Sequence, residues 1–139
     1  MFDKILIWLH VTGNVFWIGA VAAIALVMLA SDGEAKVRGE LAKRIYMLGA
    51  VPGFVLSFGA GVARLMMDPG PYMKLPFFHA KLTVAIIAIA LHHVIGARAK
   101  KLASGEVKDA GPTKVLFAVF AVCAVLAVFF VVVRIPGGG

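Results

Sequence analysis

Four long apolar runs, separated by short polar linkers, restrict this chain to few possible folds. Each run reaches the roughly 20 residues that cross the hydrocarbon core of a bilayer as an α-helix. The runs cover residues 5–30, 45–66, 78–97 and 114–134. Because the linkers are short, consecutive spans must pack side by side and antiparallel. The sequence therefore predicts an all-α, four-helix transmembrane bundle in up-down-up-down order, formed by one integral membrane domain over residues 1–139.

Composition agrees with the membrane class and excludes a disulfide scaffold. Apolar residues make up 62% of the chain, and the mean hydropathy of +0.98 lies far above that of a soluble domain. The single cysteine, Cys123, has no partner within the chain. The first run is too long for the apolar core of a signal peptide, so we expect it to be retained as a span.

The net charge of +7 is distributed as in a membrane protein and not as in a nucleic-acid-binding protein. Most basic residues lie in the first and third linkers: Lys36, Arg38, Lys43, Arg44, Arg98, Lys100, Lys101, Lys108 and Lys114. Fewer lie towards the other side: Lys4, Arg64, Lys74, Lys81 and Arg134. Basic loops beside spans favour the cytoplasm, where they also contact anionic lipid. We therefore expect both linkers in the cytoplasm and both termini on the non-cytoplasmic side.

The third span carries ionisable side chains that a membrane helix normally lacks. Lys81, His79, His92 and His93 all lie between residues 77 and 98. Such groups cost several kcal/mol in a bilayer unless they are paired or used. At about 100° per residue, Lys81 and His92 lie within roughly 20° of each other on an α-helix. His79 and His93 share the opposite side to within roughly 40°. Two polar stripes predict that this helix lies in the middle of the bundle.

The first span has one polar face, formed by His10, Asn14 and Trp17 at helical spacing and continued by Val21 and Met28. Polar groups that face lipid are expensive, so this face is predicted to point inward. The fourth span is almost featureless and is expected to close the bundle against lipid, which leaves spans one to three to form a site.

The second span combines small residues with a proline. Small residues recur at every fourth position, a spacing that lets another backbone or a flat ligand approach closely: Gly49, Gly53, Ser57 and Gly61. Pro52 is predicted to kink this helix and to free a backbone carbonyl.

His10, His79 and Lys81 are predicted to lie at one depth, near the non-cytoplasmic side. Two histidines on facing helices at one depth suit the axial positions of a b-type haem, and small residues make room for the ring. His92 and His93 lie about 20 Å deeper at 1.5 Å per residue. Two interpretations are open at that depth. Either a second haem binds near His92, or His92 and His93 only lie at the membrane interface. Interhelical hydrogen bonds for the histidines, and snorkelling for Lys81, are the alternatives without a cofactor.

Three stretches resemble the HemJ family of oxygen-independent membrane protoporphyrinogen IX oxidases and its broader CopD-like relatives. They are LHVTGNVFW, with His10 and Trp17 seven apart, MLGAVPGF in span two, and HAKL, whose histidine precedes His92 by thirteen residues. The closing run VVVRIP is also similar. The resemblance implies that haem b is bound, that His10 and Lys81 are functional, and that His79 is the second iron ligand.

The function that this resemblance implies is a haem-dependent oxidoreductase of the bacterial inner (cytoplasmic) membrane. It would take electrons from a tetrapyrrole or another lipophilic molecule and pass them to a quinone or respiratory partner, with a homo-oligomer as one possible assembly. Lys81 would be catalytic, and the cofactor would contact His10, His79, Asn14, Trp17, Gly53 and His92. Two alternatives stay open: a CopD-like protein that holds copper with its histidines, and a haem-bearing or structural accessory subunit of a larger membrane complex.

Overall fold

The computed structural model describes residues 1–132, in which α-helices are joined by short connections. In chain order the helices are α1 Phe2–Leu29, α2 Ala35–Ile45, α3 Val51–Met67, α4 Pro69–Met73, α5 Pro76–Ser104 and α6 Pro112–Val132. A π-helical turn, Tyr46–Ala50, joins α2 to α3, so that Ala35–Met67 is one helix of 33 residues. Within residues 1–132, four helices are long and apolar enough to cross a membrane. The predicted all-α, multi-pass bundle is confirmed.

The end of the predicted fourth span falls partly outside the described residues. The prediction carried this span to residue 134, whereas the description ends with Val132. Arg134 and most of the closing run VVVRIP therefore lie outside the described part of the chain.

Contacts at the two ends of the bundle show that successive helices run antiparallel. At one end, Asp3 near the start of α1 forms a 2.7 Å salt bridge with Arg64 near the end of α3. At the other end, Gly39 of α2 packs against the backbone of Leu102 and Ala103, near the end of α5. We call this second end, which carries the connections 30–34 and 105–111, the basic end, and the first the N-terminal end.

Two of the predicted linkers are largely helical, which corrects the predicted boundaries. α2 occupies residues that were assigned to the first linker, and α5 continues past residue 97 to Ser104. Both segments are rich in Ala, Lys, Leu and other good helix formers and contain no proline. α5 ends where Gly105 adopts the left-handed conformation, with φ of 77°, which glycine tolerates best.

The predicted disturbance at Pro52 takes the form of the π-helical turn that precedes it. Proline has no backbone N–H, so a regular α-helix would leave a carbonyl one turn earlier without its usual partner. Here the N–H of Val51 bonds to the carbonyl of Tyr46, five residues back. A π turn of this kind is one of the recognised causes of a break in helix regularity.

α1 and α3 cross at direct backbone contact. A Cβ atom on Gly53 would lie 2.6 Å from the backbone nitrogen of Trp17, and one on Gly13 would lie 2.8 Å from Cα of Ser57. The row of small residues on the second span therefore packs against another helix. The sequence left open whether this row contacts another backbone or a flat ligand. In the structure it contacts the backbone of α1.

The helices pack closely towards the basic end and separate towards the N-terminal end. Near the basic end, fully buried apolar side chains from three spans meet, among them Ile24, Met28, Ile95 and Leu102. Further along, α1 packs on α3 and α5 packs on α6, but α3 makes no extensive contact with α5 or α6. A cleft results between the α1–α3 pair and the α5–α6 pair.

Large apolar side chains also cover the outside of the bundle, where Leu26, Leu48, Met66 and Val132 are more than two-thirds exposed. In a soluble protein such a surface would be a liability, whereas in a bilayer it is the lipid-facing surface. We conclude that these exposed side chains contact the lipid bilayer.

Candidate functional site

A cavity of about 620 Å³ occupies the cleft between the two helix pairs. Its size lies within the range of about 300–1,000 Å³ that is usual for small-molecule sites. The walls are mainly apolar, and a small polar group is formed by His10, Asn14, Ser57 and Lys81. Exposed lining residues such as Val15 and Val132 place its mouth at the surface that faces lipid.

α6 forms one wall of this cavity, which corrects the expectation that spans one to three alone build the site. Phe120, Cys123 and Ala127 of α6 belong to the lining. Because α3 makes no extensive backbone contact with α5, the α5–α6 pair borders the space opposite α1.

Three hydrogen bonds orient the imidazole ring of His10. Nδ1 lies 2.7 Å from the backbone carbonyl of Ser57, to which it donates, and 3.3 Å from the hydroxyl oxygen of the same residue. Nε2 lies 3.2 Å from the side-chain amide of Asn14, which donates to it. The first bond fixes the tautomer, because a carbonyl only accepts. Nε2 therefore carries no hydrogen, and its lone pair accepts the hydrogen bond from Asn14, which lines the cavity. Metal-binding histidines are commonly fixed in this way, with the other ring nitrogen on a backbone carbonyl.

The position of His10 also depends on a glycine of α3. A Cβ atom on Gly61 would lie 2.9 Å from Nδ1 of His10 and 3.0 Å from its Cε1. The imidazole therefore lies directly on the bare backbone of α3, and any side chain at position 61 would push it away from Ser57.

Lys81 reaches the cavity from α5, opposite the His10 wall. Among the described lining residues it is the one Lys, Arg, Asp or Glu side chain, and it is half-buried. A cation in such an apolar cavity attracts an anionic ligand more strongly than the same cation in water. The cavity thus has a fixed imidazole on one wall and a basic side chain on the other.

Aromatic rings form the floor of the cavity. The ring of Trp17 lies 5.3 Å from that of Phe54 and 5.8 Å from that of Phe120, measured between centroids. All three belong to the lining. His92 lies beyond this floor, fully buried, with its ring 5.7 Å from Trp17 and 5.3 Å from Phe54. His92 is therefore next to the cavity without lining it.

The structure does not bring His79 together with His10. His79 is exposed, lies outside the cavity lining, and places its Nε2 2.9 Å from the backbone carbonyl of Met73. His93 is exposed as well. The third span thus has one inward stripe, with Lys81 and His92, and one outward stripe, so its predicted place in the middle of the bundle is wrong.

Gly53 is also absent from the lining, because α1 covers it at Trp17. Of the predicted cofactor contacts, His10, Asn14 and Trp17 share the cavity with the predicted catalytic residue Lys81, whereas Gly53, His79 and His92 do not line it. Phe54, Phe120 and Cys123 line it without having been predicted. Nothing in their sequence context separates them from other apolar residues of the spans.

His92 offers a stability test, because both of its ring nitrogens are buried without a hydrogen-bond partner. An unpaired buried polar group costs about 1–3 kcal/mol. We therefore expect His92→Leu, which is close in volume, to raise the free energy of unfolding by about that amount. Unfolding in mixed micelles measures it, with the exposed His93→Leu as control. A less stable His92→Leu protein would contradict the absence of hydrogen-bond partners at the ring nitrogens.

Within residues 1–132, no group of three His, Cys, Asp or Glu side chains is arranged to hold a metal ion. A copper site made by several such ligands is therefore not found in this part of the chain. A metal carried by a macrocycle differs, because the macrocycle supplies most ligands and the protein needs to add only one or two.

Compared with known proteins, the chain matches no protein-family model, no curated protein and no solved structure.

Proposed function

We propose that the protein is a haem b-binding membrane oxidoreductase whose cofactor occupies the cavity between the two helix pairs. The proposal rests on the orientation and the tautomer of the His10 ring. Its Nδ1 is held by the carbonyl of Ser57, and its Nε2 has only the amide of Asn14 as partner. Nε2 of His10 would hold the haem iron, and Asn14 belongs to the lining of the same cavity.

The lining fits a haem with one histidine ligand from the protein. Trp17, Phe54 and Phe120 provide flat apolar contacts, and Lys81 provides a cation for a propionate carboxylate. The predicted second ligand, His79, does not fit, because its ring is bonded to Met73 outside the cavity. Haem supplies the one-electron redox chemistry when bound. The chain supplies ligation through His10, charge through Lys81 and exclusion of water by apolar walls.

Proton uptake is the alternative role of Lys81, which it fulfils in its neutral form, when it does not hold a carboxylate. An oxidoreductase that removes hydrogen from a lipophilic reductant must accept protons close to the reacting carbon or nitrogen atoms. The half-buried amine of Lys81 is the titratable side chain that α5 contributes to the lining. The reductant would be a reduced tetrapyrrole or another lipophilic molecule that reaches the cavity mouth from the bilayer, and a membrane quinone or respiratory partner would receive the electrons.

The cavity mouth also suits such partners. Because lining residues at its rim face lipid, a lipophilic reductant or quinone reaches the site from the bilayer without crossing water. We place the basic end in the cytoplasm of a bacterial inner membrane, in accordance with the charge of the connections. The cavity then lies nearer the non-cytoplasmic side.

Visible spectra of the detergent-purified protein, oxidised and then reduced with dithionite, test the proposal. We expect the sharp α-band of a b-type haem in the wild type and in His79→Ala, and its loss in His10→Ala. His79→Ala is the matched control, because it removes an exposed imidazole from outside the cavity. A wild-type protein that stays colourless after reconstitution with haemin would eliminate the haem and leave a structural or accessory role.

A further inference from the structure

The imidazole of His93 is exposed on the outward side of α5, near the basic end of the bundle. Its Nδ1 lies 3.3 Å from the hydroxyl of Tyr46, and within residues 1–132 this is the one hydrogen bond of the ring. Arg98, which bonds to the connection at the basic end, follows five residues later, about 7.5 Å along the helix. His93 therefore lies near the boundary of the hydrocarbon layer. A polar side chain that faces lipid there is costly unless it has a use.

The packing of Tyr46 fixes the tautomer of His93. A Cβ atom on Gly96 would overlap the ring of Tyr46, so this ring lies on the bare backbone of α5. It also lies 5.0 Å from the ring of His92, and Tyr46 is buried. The phenol donates to Nδ1 of His93, because an imidazole nitrogen is a stronger base than a phenol oxygen. His93 therefore carries its hydrogen on Nε2, where a ligand in the bilayer can accept it.

His93 lies close to the cavity without lining it. Its ring centroid lies 4.8 Å from that of His92 and 5.8 Å from that of Phe54. Phe54 lines the cavity, and His92 contacts Trp17 of the cavity floor. One layer of aromatic side chains therefore separates a molecule in the cavity from a molecule at His93. Electrons cross so short a gap by tunnelling, and no side chain in between has to be oxidised.

The surroundings of His93 restrict the chemistry of a ligand. A free N–H donor at the lipid-facing surface suits a molecule that dissolves in the bilayer and offers an oxygen acceptor. Leu48 and Val94, which are close in sequence to the pair, are exposed apolar side chains that can contact a ring or a tail. Nζ of Lys100 lies 5.5 Å from the centroid of the Tyr46 ring, and its positive charge favours a ligand that gains electrons. A quinone combines carbonyl oxygens, an apolar tail and an affinity for electrons.

We propose that Tyr46 and His93 form the site at which a membrane quinone binds and accepts electrons that leave the cavity. Nε2 of His93 donates to a carbonyl oxygen of the quinone, and Tyr46 holds the imidazole in this tautomer. Reduction of the quinone to the quinol takes two electrons, which the lipophilic reductant of the proposed function loses and which arrive by way of the cavity. It also takes two protons, which come from water at the basic end. The electron source rests on the proposed function, whereas quinone binding does not.

Nitrogen NMR of the haem-free protein in nanodiscs tests the site, with isotope-labelled histidine and decylubiquinone as the probe. The chain has four histidines, and single substitutions assign their signals. We expect the Nε2 signal of His93 to shift and to saturate as decylubiquinone is added, whereas the signals of His10 and His79 stay unchanged. A saturable shift of His10 instead would place the quinone in the cavity. That result, or the lack of any saturable shift at His93, would overturn the proposal.

Variants separate the donor from the residue that positions it. His93→Leu should weaken the binding of decylubiquinone about tenfold, measured as its retention by loaded against empty nanodiscs. Tyr46→Phe keeps the ring on Gly96 but should change the Nε2 signal of His93 in the ligand-free protein and weaken binding by a smaller factor. His79→Leu, which removes an exposed imidazole from the same outward stripe, should bind as the wild type does.

Helix content by circular dichroism confirms that each variant is folded. An unchanged affinity in His93→Leu, an equal loss in His79→Leu, or an unchanged Nε2 signal in Tyr46→Phe would overturn the proposal. Because no haem is present, such a failure leaves the haem proposal intact, and a missing haem spectrum leaves the quinone site testable.

Discussion

Replacement of Gly53 by alanine should destabilise the bundle, whereas the same replacement at Gly59 should not. The added methyl group at position 53 would lie 2.6 Å from the backbone nitrogen and 3.0 Å from Cα of Trp17. No flexible side chain can yield there, because both atoms belong to the backbone of α1. α1 and α3 must move apart, and overpacking of this kind costs about 1–3 kcal/mol.

Gly59 is the matched control, because it lies on the same helix and an added Cβ atom would have no heavy atom within 4 Å. Both substitutions bring the same gain in helix propensity, so the difference between the two variants isolates the helix contact. Unfolding titrations in mixed micelles provide the free energies. Equal stabilities for the two variants would contradict the close crossing of α1 and α3.

Replacement of Lys81 by methionine should remove the preference of the cavity for a carboxylate-bearing ring. In the wild type we expect haemin to bind more tightly than its dimethyl ester, because only the free acid offers carboxylates to the ammonium group. A hydrogen bond to a charged group contributes about 1.5–3 kcal/mol, which corresponds to about 10- to 150-fold in Kd. In Lys81→Met the two ligands should bind with similar affinity.

The comparison of two ligands separates charge recognition from a general loss of folding, which would weaken both. Lys74→Met is the control, since Lys74 is exposed and lies outside the lining. Absorbance titrations in detergent measure all affinities. A preference for the free acid that persists in Lys81→Met would assign carboxylate recognition to another residue.

The inward-facing polar residues could be predicted from the sequence, because lipid penalises polar side chains strongly. His10, Asn14 and Lys81 all line the cavity, as that argument requires. The helical arithmetic for the third span was also right: Lys81 and His92 share the inward side, and His79 and His93 share the outward side.

The pairing of His10 with His79 came from matching depth and from the resemblance, and it neglected the direction in which each side chain points. His79 and Lys81 are two residues apart, which separates them by about 200° on a helix. When Lys81 faces the cavity, His79 must face away. The proline-containing segment before α5, which folds as the short helix α4, then brings the carbonyl of Met73 within reach of the outward ring.

The contribution of α6 to the aromatic floor and to the cavity wall could not be predicted for a different reason. In a soluble helix, the contrast between apolar and polar faces shows which side is buried. In α6, almost every side chain is apolar, and lipid and protein interior accept such residues equally well. Phe120 and Cys123 therefore look like any other residue of the run until the helices are packed together.

The most direct test of the central claim, that the ligand of this protein binds beside His10 in the cavity, uses the one cysteine of the chain. Cys123 is a free thiol that lines the cavity and is only 5% exposed. Its rate of alkylation by N-ethylmaleimide should fall roughly tenfold when free haemin is about ten times its Kd. At the same haemin concentration, His10→Ala should lose this protection. Alkylation that proceeds at an unchanged rate, while absorbance shows that haemin is fully bound to the wild type, would place the ligand elsewhere and contradict the account.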